Sequence, residues 1–351
     1  MDEFASIRHW TADRQSREWQ QSRGVALGIG DDAAVVRLAP ADYGLNGEGS
    51  LLLAVDTMVE TVHFASGTMN DEDVGYKALA ANVSDIAAMG GVPLHAVVSV
   101  SVPASYNPER MLRVYDGLYA CAERYGVAVI GGDTTSAPTH MVISVTLTGM
   151  VETGKELRRS GARAGDAVFV TGPLGMSAAG LHLLLREDGR AADWEALAAA
   201  HRRPKPSVLA GRLLLDSGAC SSLNDVSDGL ASEAWELAEA SGVRIVLEER
   251  LLPVSGTLAA YAARSGIQPL DWMLYGGEDY VLVGTVDSAR AEAIQAAFHE
   301  RGLPFYLIGF VEEGAPDVQL IRVQRSGSRG ANAGLPLRRA VEKRGYNHFD
   351  K

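Results

Sequence analysis

Gly28-Ile29-Gly30-Asp31-Asp32-Ala33-Ala34-Val35-Val36 places paired carboxylates on a glycine turn that runs directly into an apolar stretch. No core needs that order, whereas a turn that presents side chains to a ligand and then enters a strand does. Further aspartates recur where apolar or glycine-rich segments end. They are Asp56 after Leu51-Leu52-Leu53-Ala54-Val55, Asp85 in Asn82-Val83-Ser84-Asp85-Ile86, Asp133 after Ile130-Gly131-Gly132, and Asp225 with Asp228 in Asn224-Asp225-Val226-Ser227-Asp228-Gly229. Carboxylates without cysteine or histidine clusters suit hard cations, above all magnesium, which takes a few carboxylates and leaves positions for phosphate oxygens.

Outward from these motifs the chain alternates strand and helix patterns. Val35-Val36-Arg37-Leu38 and Leu51 to Val55 read as strands, which puts Asp56 at a strand exit. Asp71 to Met89 reads as an amphipathic helix with an acidic first turn and Gly90-Gly91 as its stop; Ala78, Asn82, Asp85 and Met89 share a face. An amide and a carboxylate among alanines on a buried face require hydrogen-bond partners or a metal. Strands at His95–Val102 and Val127–Ile130 flank a helix from Pro108 to Tyr125, after which Gly131-Gly132 is expected to turn tightly and Asp133 to supply oxygen. His140 to Val151 reads as a strand. Before all of these, Ser6 to Arg23 reads as a polar surface helix.

The polar Glu152–Gly165 segment marks passage into a second α/β domain, so the expected division is 1–155 and 156–351. Ala167–Thr171 leads through Gly172-Pro173-Leu174-Gly175 into a helix at Ser177–Leu185. That unit lacks the Lys-Ser/Thr ending of a nucleotide-binding P-loop and is read as a structural turn. Helices at Ser207–Leu215, Leu230–Ser241 and Ser288–Glu300 and strands at Arg244–Leu247, Tyr280–Thr285 and Phe305–Phe310 complete the pattern. By themselves Gly276-Gly277-Glu278-Asp279-Tyr280 and Gly345-Tyr346-Asn347-His348-Phe349 read as loops, and His63 as a packed or surface histidine.

The 351 residues, 47% of them hydrophobic and 22% charged, suffice for two domains with real cores. With 32 basic and 44 acidic side chains the net charge is −12, and there is no sustained basic run, which argues against nucleic acid or an anionic membrane as partner. Two cysteines, Cys121 and Cys220, make no disulfide framework and fit a reducing cytoplasm. The acidic N-terminus lacks the order of a secretory signal, and no apolar run spans a bilayer.

Taken in order, the motifs resemble the thiamine-phosphate kinases of the aminoimidazole-ribotide-synthetase-like (PurM-like) superfamily, nearly end to end. The resemblance rests on Gly28 to Asp32, Asp56-Thr57-Met58-Val59-Glu60-Thr61-Val62-His63-Phe64, Tyr76 to Asp85, Gly131 to Thr135, Arg159-Ser160-Gly161, Asp225 to Leu230, Gly277 to Tyr280 and Gly345 to Phe349. It implies a two-domain α/β (α+β) architecture, the N-terminal domain forming the sheet of a homodimer. It implies ATP-dependent phosphorylation of thiamine monophosphate, with several magnesium ions held by Asp32, Asp56, Asp85, Asp133, Asp225 and Asp228, and with Asp32, Asp85 and Asp225 as catalytic groups. Gly132, Asp133, Arg159 and Ser227 are then expected to meet ATP, and His63, Glu278 and Tyr346 the thiamine phosphate. Two anionic reactants require cations and an arginine more than a general base, and an acidic Glu278 with an aromatic Tyr346 suits the thiazolium cation.

The chain departs from the family at Ala54 and Val55, where hydroxyl residues usually precede the aspartate, which leaves the number of metals open. Alternatives are another ATP-dependent enzyme of the superfamily, of the aminoimidazole ribotide synthetase, selenophosphate synthetase or hydrogenase-maturation type, or a non-catalytic nucleotide-binding regulator. The internal positions of Cys121 and Cys220 disfavour the selenium and hydrogenase types, which carry terminal reactive cysteines.

Overall fold

The computed structural model describes residues 10–11, 14–27, 35–36, 43–45, 48–186, 194–323 and 336–345. The Gly28–Ala34 turn with Asp31 and Asp32, and Tyr346 to Phe349, lie outside the described residues.

The N-terminal part runs α1 (Arg17–Ser22), β1 (Val25–Leu27), β2 (Val35–Val36), β3 (Gly49–Val59), α2 (Asp71–Ala88), β4 (Val92–Pro103), α3 (Pro108–Tyr125), β5 (Ala128–Ala137) and β6 (Val142–Glu152). Strands β3-β6-β4-β5 form one sheet in which only β4 and β5 are parallel. Asn70 caps α2 by accepting from the Asp73 amide, Asn107 caps α3, and Gly126 closes α3 at φ +68°. The two helices cross at contact distance: a Cβ at Gly75 would overlap the Val114 carbonyl oxygen, and one at Gly117 that of Glu72. The first segment is not one surface helix. Ser16 caps a short α1, while Trp10, 4% exposed, stacks on Tyr115 in the core, because a large indole is better buried than solvated.

Two strands run further than their sequence signals. β3 continues through Thr57 and Val59 in unbroken register with β6, so Asp56 sits inside a strand, opposite Val145, rather than at its exit. β5 likewise continues through Gly131, Gly132 and Asp133, so no tight turn forms there. The glycine serves close strand approach, since a Cβ at Gly132 would overlap the Val98 carbonyl oxygen, and Ile130 is the extra residue of a bulge where the register with β4 shifts.

The C-terminal part runs β7 (Ala167–Val170), α4 (Met176–Leu184), α5 (Glu195–Arg202), α6 (Val208–Ser217), β8 (Cys220–Asp225), α7 (Leu230–Ser241), β9 (Arg244–Glu248), α8 (Gly256–Ser265), α9 (Pro269–Tyr275), β10 (Leu282–Val286), α10 (Ala291–Glu300), β11 (Tyr306–Glu312), β12 (Asp317–Val323) and β13 (Pro336–Ala340). Its seven-stranded sheet has the order β13-β12-β9-β11-β7-β10-β8 and is antiparallel except for β12 beside β9. Helix α2 belongs to both parts. Leu79, Val83 and Ile86 pack in the N-terminal core, whereas Ala87 and Ala88 join Phe169, Leu214 and Leu223 of the C-terminal one. A bidentate Arg212–Glu152 pair, both bonds 2.8 Å, ties α6 to the end of β6. No helix among the described residues is long and apolar enough to cross a membrane.

Candidate active site

Helix α2 presents its chemistry along one buried side. Asn82, fully buried, donates to the Ala78 carbonyl at 3.1 Å, and its Oδ1 has no partner among the described residues. Ser84 donates to Asp225 at the end of β8, Oγ to Oδ2 2.6 Å, and Asp85 shares a hydrogen bond with Asp56 of β3. Elements from both parts of the chain thus bring Asp56, Asp85 and Asp225 together. Burial raises all three carboxyls, and at two of them the neighbours add to it: Asp85 is pushed up to about 8 by burial and then by Asp225 and Asp56, and Asp225 to about 6 by burial and Asp56, whereas the hydrogen bond with Asp85 lowers Asp56 in part. Arg159 lowers the last two in part.

Among the described residues no three acidic, histidine or cysteine side chains are grouped closely enough to hold a metal ion on their own. The donors nevertheless fit magnesium: they are all oxygen, two are acids sharing a proton that a cation would displace, and the orphaned amide oxygen of Asn82 lies one helical turn from Asp85. Of the two non-hydroxyl positions before Asp56, only Ala54 shares its face, because alternation turns Val55, 62% exposed, to the opposite side.

Asp133 stands apart. Residues Asp56, Val145, Val98 and Gly132 lie in one row across the sheet, which puts Gly132 three strands, roughly 14 Å, from Asp56. Asp133 pairs with Ser99 one residue on and is exposed on the face opposite Asp56.

The loop after β8 is held from α7. Glu233, 2% exposed, accepts from the Asp228 amide at 3.1 Å, from Ser227 Oγ at 3.4 Å, and from Asn224 Nδ2. Burial and then Glu236 push its carboxyl up to about 9. Asn224 also accepts from Arg159 Nε at 3.1 Å, and Arg159 pairs with Glu236 at 3.0 Å. Half of the Arg159 side chain is exposed, so its guanidinium is braced yet open to a ligand. Asn224, Glu233 and Glu236 were not singled out from sequence; the only signal was the spacing of the two glutamates on one face of the Leu230–Ser241 helix pattern.

The Gly276–Tyr280 segment is more than a loop. Asp279 caps α4, accepting from the amides of Gly175 at 2.5 Å and Ser177 at 3.1 Å, so the helix start is filled by the protein's own carboxylate. Glu278 pairs with buried Lys77 of α2, Nζ to Oε2 2.6 Å, and lies 3.3 Å from His201 Nδ1 of α5. Burial raises its carboxyl, but Lys77 and His201 outweigh that and bring it down to about 2. His63 Nδ1 accepts from the Val59 amide at 3.0 Å at the turn after β3. A surface groove between α10 and β11, lined by Glu292, His299, Phe305 and Tyr306, contains none of these groups.

Residues 30–151 match the family of AIR synthase related proteins, N-terminal domain, and residues 163–321 match the corresponding C-terminal domain. The chain is 40% identical over 335 residues to the thiamine-monophosphate kinase of Bacillus subtilis, covering 93% of this chain and 94% of that one. The crystal structure of thiamine-monophosphate kinase from Stenotrophomonas maltophilia superposes with a TM-score of 0.76 at 32% identity, over 86% of this chain and 94% of that one. A relative solved as a complex with AMPPCP and TMP superposes with a TM-score of 0.71 at 35% identity, over 88% of this chain and 91% of that one.

Proposed function

Because the chain belongs to the thiamine-monophosphate kinase family, we propose that it transfers the γ-phosphoryl group of ATP to the phosphate of thiamine monophosphate, giving thiamine diphosphate. The observation that carries this reading is the meeting of Asp56, Asp85 and Asp225 from three elements beside the braced Arg159. A relative whose solved complex holds AMPPCP and TMP supports the pairing of a nucleotide with a monophosphate acceptor.

The attacking phosphate oxygen is already anionic, so the site has no proton to remove. Asp56, Asp85 and Asp225, with Asp32 and the Asn82 oxygen, would hold magnesium, which supplies charge neutralisation between two anionic reactants. Arg159, fixed by Asn224 and Glu236, directs its remaining donors at the nucleotide phosphates. Ser227 and Asp228 are set by Glu233 and line the same loop. Glu278, Tyr346 and His63 are assigned to the acceptor.

We further propose a homodimer in a cytoplasmic setting, with the division between domains at residues 155 and 156. Leu51, Leu53, Val55 and Val97 expose 55%, 69%, 62% and 40% on a sheet face left open among the described residues, an apolar patch typical of an interface. Asp133 and Gly132, a sheet's width from the cluster of their own chain, then serve a neighbouring copy's nucleotide.

The test is turnover with magnesium and ATP against thiamine monophosphate, thiamine and a formylglycinamidine ribonucleotide, following ADP and product. Thiamine monophosphate alone is the expected acceptor. Equal use of thiamine, or use of the ribonucleotide only, overturns the proposal.

A further inference from the structure

Lys77 is 1% exposed in the middle of α2, among Ala78, Ala80 and Ala81, where an apolar side chain would satisfy the packing. A lysine is kept there only at a large desolvation cost, which an ion pair must offset. Its ion-pair partner is Glu278, and Glu278 has an unusual backbone: φ is +66°, and that of Tyr280 is +51°, in the left-handed region disfavoured for residues with a Cβ. This strained turn is fastened to the site loop by Glu278 N to Ser227 O, 2.7 Å, and Tyr280 N to Val226 O, 2.9 Å. Lys77 and Ser84 are one heptad apart on α2, so the same helix face grips Glu278 at one end and Asp225 at the other.

Both contacts to Glu278, from the Lys77 ammonium and from the His201 ring, converge on Oε2. His201 Nδ1 is itself 3.2 Å from Ser177 Oγ, which fixes the imidazole. The glutamate side chain remains 28% exposed, and among the described residues no hydrogen bond or ion pair engages its other oxygen, Oε1. An ammonium at 2.6 Å also cancels most of the negative charge that an incoming cation would meet.

We propose that Lys77 is a positioning residue for acceptor recognition, acting through Glu278: it holds Oε2 so that the strained turn presents Oε1 to the acceptor. The proposal rests on the kinase reading above. It predicts that Lys77 matters to the acceptor and not to the nucleotide, and that its effect vanishes once Glu278 is changed.

The test is calorimetric titration of the full-length protein with thiamine monophosphate and, separately, with magnesium and a non-hydrolysable ATP analogue. The variants are Lys77→Met, Glu278→Gln and the double variant; the last removes both charges and folds even where Lys77→Met strands a buried carboxylate. The expected result is a tenfold or greater loss of acceptor affinity in Lys77→Met and in Glu278→Gln alike, no further loss in the double variant, and nucleotide affinity within about twofold of the parent throughout; a Lys77→Met protein with parental acceptor affinity overturns the proposal. Acceptor losses that add in the double variant, or equal losses for both ligands, overturn the role of Lys77. A parent protein that binds the nucleotide analogue and not thiamine monophosphate overturns the kinase reading and this inference with it.

Discussion

Replacing Asp85 by asparagine should stabilise the metal-free protein while abolishing turnover. The Asp85 carboxyl is raised from 3.8 to about 8 by burial and by Asp225 and Asp56, so near neutrality the folded chain holds a proton there that the unfolded chain has released. The interval from 3.8 to neutral pH, at about 1.4 kcal/mol per unit, corresponds to roughly 4 kcal/mol of lost stability. Asparagine never ionises and escapes this loss, but it must still be desolvated beside the acidic Asp56, so the expected gain is about 1 to 3 kcal/mol at pH 7. The sign follows from linkage. Below 3.8 the carboxyl is protonated in both states and the two proteins differ little; between 3.8 and about 8 the parent loses stability progressively; above that no more is lost. Urea unfolding in EDTA at pH 5 and pH 8 measures the difference, which should be larger at pH 8. With magnesium and nucleotide at 100-fold excess over their dissociation constant the parent gains about 2.7 kcal/mol that the variant does not, which offsets most or all of the variant's advantage. A variant no more stable than the parent in EDTA at pH 8, or an advantage independent of pH, refutes the crowding of Asp56, Asp85 and Asp225.

Gly117→Ala should cost more than about 3 kcal/mol and reduce turnover, although the residue is on α3, since a Cβ would overlap the Glu72 carbonyl oxygen and push α2 and its Asp85 away; thermal unfolding and a rate assay check both, and near-parental values refute the close crossing. Arg212→Met should cost about 3 to 5 kcal/mol at pH 7 by stranding buried Glu152. The Arg212 hydrogen bonds hold that carboxyl below its ordinary 4.5, so the stabilisation is present above 4.5 and lost as pH falls; the penalty should shrink in unfolding curves near pH 4, and a constant penalty counts against the pair. Leu53→Arg on the open sheet face should lower the mass measured by light scattering from dimer to monomer, and an unchanged mass removes that face as the interface.

The helices that frame the site were legible because their ends carry local signals: Asn70 and Asn107 cap α2 and α3, and Gly126 and Gly242 adopt the left-handed conformation just past α3 and α7. Strand lengths were not. Gly131-Gly132 has the composition of a turn, but its neighbour across the sheet, the Val98 carbonyl, explains the glycine, and that neighbour is remote in sequence. The edge strand β13, with Arg338 and Arg339 in its centre, lacks the apolar alternation that announces a strand, as charged edges do. At the site, the aspartates announced themselves by type and position, whereas Lys77, His201, Asn224 and Glu233 act through pairings formed only by the fold. The lysine's helical period places it with the core, and nothing near it in sequence predicts a glutamate at position 278.

A site that crowds carboxylates must draw its stability from elsewhere, and α2 is the source. Val74, Leu79, Val83 and Ile86 are each 2% exposed or less, and burying such side chains contributes about 1.5 to 3 kcal/mol apiece, an upper figure because the unfolded chain already hides some of that surface. Four of them together outweigh the roughly 4 kcal/mol set against folding by Asp85 at neutral pH. The acidic groups are therefore carried by a helix that is held in place without them. This separates the protein from small domains whose metal is their fold: stripped of divalent cations it should keep its far-ultraviolet circular dichroism and a cooperative melt, with magnesium and nucleotide raising the midpoint. A metal-free chain that loses its helical signal would mean that cations organise α2 and that the site holds the core in place.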